Sequence, residues 1–307
     1  MKKFLISVLV FVVLLLAMLI GACFFLPGNA NRTMLGALPK KYAALDAIQG
    51  ERIILLGGSG TYMGFDTKYL SEQLKRPVYN LGLHAGLGLV YQMKSAESHF
   101  RKGDIVILSP EYSNFDSSSR FGNTEVVAML AEVMPSDCQL LSFNHWLHLV
   151  PFMMEYGGTK IRKLFTAKSK KDNSHDFDLF GDANWPTNKA ADAVMVFPLG
   201  AKLGASMFDA SSLDSIREFV GAVSFRGVKV LIAPPALSDD CFARQKGFVN
   251  EIAAQLKSNN VSFVCDPFRL SMSGEYFYDT PYHLNPAGRR ERSEIVTKTL
   301  KEFMEVE

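Results

Sequence analysis

Arg52-Ile53-Ile54-Leu55-Leu56-Gly57-Gly58-Ser59-Gly60-Thr61 carries a short, unbroken apolar run straight into a glycine-rich turn. A run without alternation suits a strand buried on both faces, as parallel sheets require. The segments that follow alternate in kind. Phe65 to Lys75 reads as a helix with Asp66 at its N-cap. Pro77-Val78-Tyr79-Asn80-Leu81-Gly82 reads as a second strand and Leu87 to Arg101 as a second helix. Asp104 to Pro110 is a third strand, stopped where proline lacks its N–H. This alternation predicts an α/β fold with a parallel sheet covered on both faces.

The same order returns near the carboxyl end. Ser212 to Phe225 reads as a helix, Lys229 to Pro234 as a strand, and Asp239 to Asn259 as a helix. Ser262 to Pro267 is expected as a last strand, with Pro286 to Val306 as the closing helix. Between them, residues 115–210 read as a largely helical insertion, with helices at Thr124 to Met134 and Cys138 to Met154 and a candidate role as a cap over the site. The predicted organisation is an anchor at 1–26, a linker with one short helix at 27–50, and the α/β domain at 51–307.

Phe4 to Leu26 contains no charged residue and follows Lys2 and Lys3. At about 1.5 Å per residue such a run crosses a hydrocarbon core of roughly 30 Å. Ile20-Gly21-Ala22-Cys23 also resembles a lipoprotein cleavage box, yet Phe24-Phe25-Leu26 extends the apolar run beyond the cysteine. The expectation is an uncleaved single-pass anchor contacting membrane lipid, with the amino terminus cytoplasmic and the body outside; a lipoprotein and a buried core helix are the other readings. Lys2 and Lys3 account for the formal charge of +2, leaving 31 basic residues against 31 acidic ones. A neutral body lacks the clustered basic excess of a nucleic-acid binder. Four scattered cysteines make neither a disulfide scaffold nor a zinc cluster.

Three loops have unusual composition: Gly57 to Thr61, Gly82 to Gly88, and Tyr278 to Gly288. In open parallel sheets, ligands bind where loops converge at the carboxyl ends of the strands. A serine between glycines on a tight turn presents its hydroxyl and leaves backbone N–H groups to hold an oxyanion. A histidine from a distant loop supplies a base, and a nearby acid orients it.

Gly57-Gly58-Ser59, Asn80-Leu81-Gly82 and the segment from Asp279 to His283 together resemble the SGNH (GDSL-like) hydrolase superfamily. The nearer likeness is to its membrane-anchored, extracytoplasmic branch, which includes lipoteichoic-acid D-alanylation and alginate O-acetylation proteins. The resemblance covers roughly residues 50–115 and 225–300. It implies a three-layer α/β/α, flavodoxin-like fold and acyl-ester chemistry on acylated carbohydrate or another envelope polymer, with no cofactor or metal. It also implies a membrane acyltransferase as a partner. It gives Ser59 as nucleophile, His283 as base and Asp279 as the acid. Gly82 and the Ser59 N–H become oxyanion donors, with Gly58 and Asn114 as further binding positions. Ser109-Pro110-Glu111-Tyr112 matches a serine–proline segment of that branch.

The chain departs from the pattern twice. Thr280 stands three residues before His283, where the superfamily has its acid, so either Asp279 or a backbone carbonyl orients the imidazole. No Gly-x-Asn-Asp segment follows the third strand, and Asn114 is the nearest amide. These departures keep a second expectation open, a catalytically silent binding or accessory protein of a polymer-modification system. Gly58 to Gly64 also loosely mimics a dinucleotide-binding fingerprint, one residue too long and without the acid after the second strand. His84, on the loop beside Gly82, reads as a surface residue, with a place facing the site as the other reading. His145 and His148, at i,i+3 with no third ligand nearby, read as part of a packed helix rather than a metal site. Lys168 to Lys171 read as a solvated loop.

Overall fold

The Ile53–Leu56 run forms the centre of the protein in the computed structural model, which describes residues 1–117, 119–166, 177–184, 208–259, 261 and 263–305. Strand β1 (Ile53–Gly57) is buried at every position. It pairs in parallel with β2 (Val78–Asn80) on one side and β3 (Ile105–Ser109) on the other, and β3 pairs with β4 (Lys229–Ile232). The sheet therefore runs β2-β1-β3-β4, all parallel.

Strand alternation sorts the side chains into two layers. Ile53, Leu55, Ile105 and Ile107 pack with Leu70 and Leu74 of α4 (Thr67–Leu74) and with Val296 and Leu300 of α10 (Pro286–Glu305). Ile54, Leu56, Val106 and Leu108 pack on the opposite face with α5 (Leu89–Ala96) and α8 (Ala210–Ser224). Covering both faces explains why the strands read as continuous apolar runs. Asp66 caps α4 by accepting the Tyr69 N–H at 3.0 Å.

A buried ion pair closes the amino edge of the sheet. Arg52, fully buried, donates through Nε (3.1 Å) and Nη2 (2.5 Å) to the Asp104 carboxylate. Its remaining N–H groups reach the carbonyls of Leu45 and His99, both at 2.8 Å. Four N–H donors meet four oxygens in this way only with a planar, forked guanidinium.

Two sequence expectations are corrected. Residues 27–50, expected as a linker with one short helix, hold that helix but pack on the body, because Leu35, Leu38, Tyr42 and Leu45 enter the core. Helix α2 (Leu38–Ala47) places residues 38, 41, 42 and 45 on one face, so Lys41 is drawn inside with its apolar neighbours. The strand expected at Ser262 to Pro267 is reduced among the described residues to one bridge, Phe263 with Ile232. Asp266 there turns the chain into a short 3₁₀ segment beginning at Pro267, which has no N–H for a ladder. The chain instead forms a separate parallel pair, β5 (Leu237–Ser238) with β6 (Ser271–Met272), behind α9 (Asp239–Ser258).

The insertion is helical where the structure describes it. Its described part, α6 (Thr124–Ala128), a π-helical turn (Met129–Val133) and α7 (Phe143–Phe165), joins the main core through Val126, Met129, Leu149 and Met153. Lys168 to Lys171 lie outside the described residues. The apolar amino-terminal run is one helix, α1 (Lys2–Phe25), long and apolar enough to cross a membrane. Its carboxyl end packs on α7, where Cys23 is fully buried. Lys160 of α7 donates to the carbonyls of Cys23 (2.7 Å) and Leu26 (2.9 Å), the helix-end acceptors that have no intrahelical donor.

His145 and His148 each turn a ring nitrogen to a backbone carbonyl, of Phe121 (2.7 Å) and Gly122 (3.0 Å), and no metal-ligating cluster occurs among the described residues. Burial lowers His145 to about 4 from 6.5; His148, Lys94 and Arg120 push the same way, and the Phe121 carbonyl opposes them. Between those values the unfolded chain binds more protons than the native one. Stability therefore rises with pH across the window and is lost as pH falls through the lower value, by roughly 3 kcal/mol in all. Thermal unfolding of the protein and of His145→Gln across this range should show the dependence flattened in the variant. Equal slopes would remove His145 as its source.

Candidate functional site

The sequence bends sharply where β1 ends. Gly57 admits the Thr61 hydroxyl and the Ser109 carbonyl where a Cβ would overlap both. Gly58 is the N-cap of the single-turn helix α3 (Ser59–Tyr62), and its carbonyl accepts the N–H groups of Thr61 (3.0 Å) and Tyr62 (3.1 Å). Ser59 thus opens a helix at the carboxyl edge of the central strand, half-buried, with a first-turn N–H that has no intrahelical partner.

Ser59, His283 and Asp279 line one cleft of about 300 Å³, together with Met34, Met63, His84 and Tyr278. The histidine loop is carried to the serine by direct packing. The Leu284 N–H donates to the Met63 carbonyl at 3.2 Å, just past α3, and Gly60 faces Tyr282 where a Cβ would crowd it. His283 holds Asp279 Oδ1 at 2.7 Å through Nδ1. The carboxylate four residues before the histidine is therefore the one at the ring. The intervening Thr280 bonds the His283 N–H through its carbonyl (3.3 Å) and its hydroxyl (3.2 Å). With Nδ1–H given to a carboxylate, Nε2 carries the lone pair.

The serine hydroxyl points elsewhere in this arrangement. Ser59 Oγ donates to Glu111 Oε1 at 3.3 Å, and the same oxygen accepts the Gly60 N–H at 3.0 Å. Glu111 follows β3 and is 6% exposed. A hydroxyl–carboxylate bond is strongest near 2.5–2.7 Å, so a 3.3 Å contact holds the hydroxyl weakly.

Two of the expected oxyanion positions are not available. The Gly82 N–H is given to Asn80 Oδ1 at 2.8 Å, and Gly82 is buried against the backbone of Thr61 and Tyr62. Asn114 lies outside the cleft. Its Oδ1 accepts the Glu111 N–H at 3.0 Å, and its side chain borders a separate 220 Å³ pocket with Ala85, Gly86 and Asn123. Gly58 is the cap described above and packs on Ala85. Asn80 is the hub of the second loop. Its amide donates to the Thr61 carbonyl (2.9 Å) and to Asp182 (2.8 Å), tying β2 to α3. Asp182 is buried, and burial raises it to about 6 despite bonds from Thr67 and Asn80. Lys41, also buried, gives its ammonium to the carbonyls of Asn80 (3.1 Å) and Gly82 (2.6 Å) and lies 3.8 Å from the Tyr62 ring centroid. Burial holds that amine well below its ordinary range.

Sequence reasoning missed four residues of this neighbourhood. Glu111 appeared only as part of a short segment, Met34 fell in the expected linker, and Arg292 looked like one of many charges on the last helix. His84 was read as surface, and the structure puts it in the cleft. Its Nδ1 accepts the Gly86 N–H at 3.0 Å, which fixes the proton on Nε2. Lys41 had a readable signal, its place on the apolar face of α2.

Arg292, fully buried, donates to the carbonyls of Gly60 (2.9 Å) and Pro234 (3.0 Å) and to Ser109 Oγ (2.7 Å). Burial pushes its guanidinium down to about 9, so it stays charged at neutral pH. A scan of the sequence against family models and a search of curated proteins return no match.

Lysine at position 292 keeps the charge but cannot fork to three acceptors spread over three loops. Arg292→Lys should cost about 2 kcal/mol or more in denaturant unfolding, since each orphaned acceptor costs about 1–3 kcal/mol. Unchanged stability would show that these bonds do not hold the loops together.

Proposed function

We propose that the chain is a membrane-anchored serine esterase or O-acyltransferase acting on an acylated envelope carbohydrate or similar polymer, with an SGNH-like arrangement of its parallel sheet. The observation that supports this reading is the shared cleft: Ser59 at the end of β1 and a carboxylate-bound imidazole from a loop more than two hundred residues away line the same cavity.

In the reaction, Ser59 Oγ turns from Glu111 toward His283. Its proton passes to His283 Nε2 as Oγ bonds the acyl carbon, and the carbonyl electron pair moves onto oxygen. The Ser59 N–H is one donor to that oxyanion. With the Gly82 N–H occupied, His84 Nε2–H is the second, a side-chain donor in the place of a backbone one. The ester C–O bond then breaks, the leaving oxygen takes the proton from His283, and water or a sugar hydroxyl attacks the acyl-serine by the same steps in reverse. The two histidines hold opposite tautomers and so have opposite tasks, one accepting a proton and one donating a hydrogen bond.

Helix α1 supplies the tether in this reading, with the body outside the membrane. The full burial of Cys23 favours keeping the helix over cleavage and lipidation at that sulfur. A membrane acyltransferase remains the proposed acyl source for the transferase form. Two observations favour the silent alternative: the serine hydroxyl is bonded to Glu111 and the Gly82 N–H is taken. An accessory protein would bind acylated polymer without forming an acyl-serine.

A fluorophosphonate probe separates the two. Ser59→Ala should abolish labelling, and His283→Ala should slow it by about 10²–10⁴-fold, the usual weight of a general base. His84→Ala should slow it by about 10²-fold, with partial recovery in His84→Gln, whose amide again offers a donor. Labelling that survives Ser59→Ala, or is absent from the unaltered protein, would end the catalytic reading.

A further inference from the structure

The packing of α1 on α7 fixes more than an anchor. Gly157 of α7 sits where a Cβ would overlap the Leu19 carbonyl and crowd the Cys23 N–H, so the two backbones touch there. A small residue at a helix crossing permits that approach. The partly or fully buried residues Leu16, Leu19, Ile20 and Cys23 make one face of α1. If α1 spans from Phe4, about 20 residues and 30 Å bring it to the far interface near Cys23. Leu19, four residues earlier, then lies about 6 Å inside the hydrocarbon boundary. Helix α7 meets it at that depth.

The outward surface of α7 matches such a position. At about 100° per residue, Phe143, Leu147, Met154, Ile161 and Phe165 fall within one narrow stripe. Phe143, Leu147 and Phe165 are 75%, 53% and 83% exposed. The stripe lies beside the line of Trp146, Gly157 and Lys160 that meets α1, through Phe24, Leu19 and the Cys23 carbonyl. The body-facing residues His145, Leu149, Met153 and Tyr156 lie on the other side of that line. Asn144, Glu155 and Arg162 occupy the remaining, polar face.

We propose that α7 lies in the membrane interface beside α1, its apolar stripe immersed in lipid acyl chains and its polar face turned to the headgroups. The occupant of the stripe is the bilayer, because the stripe continues the exposed surface of α1 at the level where α1 leaves the hydrocarbon. Interfacial helices sit about 5–10 Å into the headgroup–acyl boundary, which brackets the depth set by Leu19. Two contacts then fix the body: a spanning helix alone lets it swing, whereas α7 holds it flat against the surface. The inference rests on the anchor reading.

Tryptophan quenching in full-length protein reconstituted into phosphatidylcholine–phosphatidylglycerol vesicles tests it. Trp146 and Trp185 are the chain's two tryptophans, and both are replaced by phenylalanine before single reporters are placed at Phe11→Trp in α1 and at Leu147→Trp and Phe165→Trp in the stripe. Both stripe reporters should be quenched most by bromines near the headgroup end of the acyl chain and little by acrylamide in water. Phe11→Trp should be quenched most by bromines near the chain terminus. If Phe11→Trp is quenched by lipid while the stripe reporters answer only to acrylamide, the anchor stands and the interfacial helix falls. If the stripe reporters answer to neither quencher, a protein surface covers them and the proposal fails. If Phe11→Trp is not quenched by lipid, both the anchor and the interfacial helix fall.

Discussion

One buried guanidinium holds the carboxyl edge of the sheet in register. Arg292 reaches from the last helix to the serine turn at Gly60, to the end of β3 at Ser109 and to Pro234 just past the end of β4. No carboxylate is hydrogen-bonded to it among the described residues, and burial lowers its affinity for the proton. Such a charge is costly in an apolar core unless its donors are used. Three oxygens from three loops take its Nη donors, its buried Nε is left without a partner among the described residues, and the Phe65 ring centroid lies 4.0 Å from the cation. Arg52 performs the matching task at the amino edge, there with Asp104 as its counter-ion. The sheet is clamped at both rims, and the Ser59 helix, bonded at Gly60, moves only if the upper clamp opens.

The parts of the fold governed by burial were legible in the sequence. Ile53 to Leu56 and Ile105 to Leu108 are apolar because both their faces are covered, and that pattern needs no partner to be read. The edge of the sheet was less legible. Ser262 to Pro267 has strand-like composition, yet Asp266 and Pro267 end pairing after one bridge. The linker reading of 27–50 failed for a related reason. Polar residues dilute its apolar spacing, and one of them, Lys41, goes inside because backbone carbonyls at the end of β2 receive its ammonium.

The site divides in the same way. Ser59 and His283 stand in glycine- and turn-rich loops whose composition marks them, and the structure brings them to one cleft. Hydrogen-bond commitments are set by three-dimensional neighbours and leave no mark in composition. Gly82 donates to Asn80, Asn114 serves the Glu111 backbone, and His84 takes its tautomer from Gly86. Glu111 is the most consequential of these. Its carboxylate accepts the Gly60 N–H in the first turn of α3 and the serine hydroxyl, which in the proposed mechanism turns about one side-chain bond to reach His283.

That rotation is open to direct observation. A crystal structure of the protein after reaction with a phosphonate ester should show phosphorus bonded to Ser59 Oγ, the phosphonyl oxygen within hydrogen-bond reach of the Ser59 N–H and His84 Nε2, and His283 Nε2 facing the adduct. A treated crystal in which Ser59 is unmodified and still bonded to Glu111, or an adduct with both imidazoles turned away, would contradict acyl transfer at this cleft.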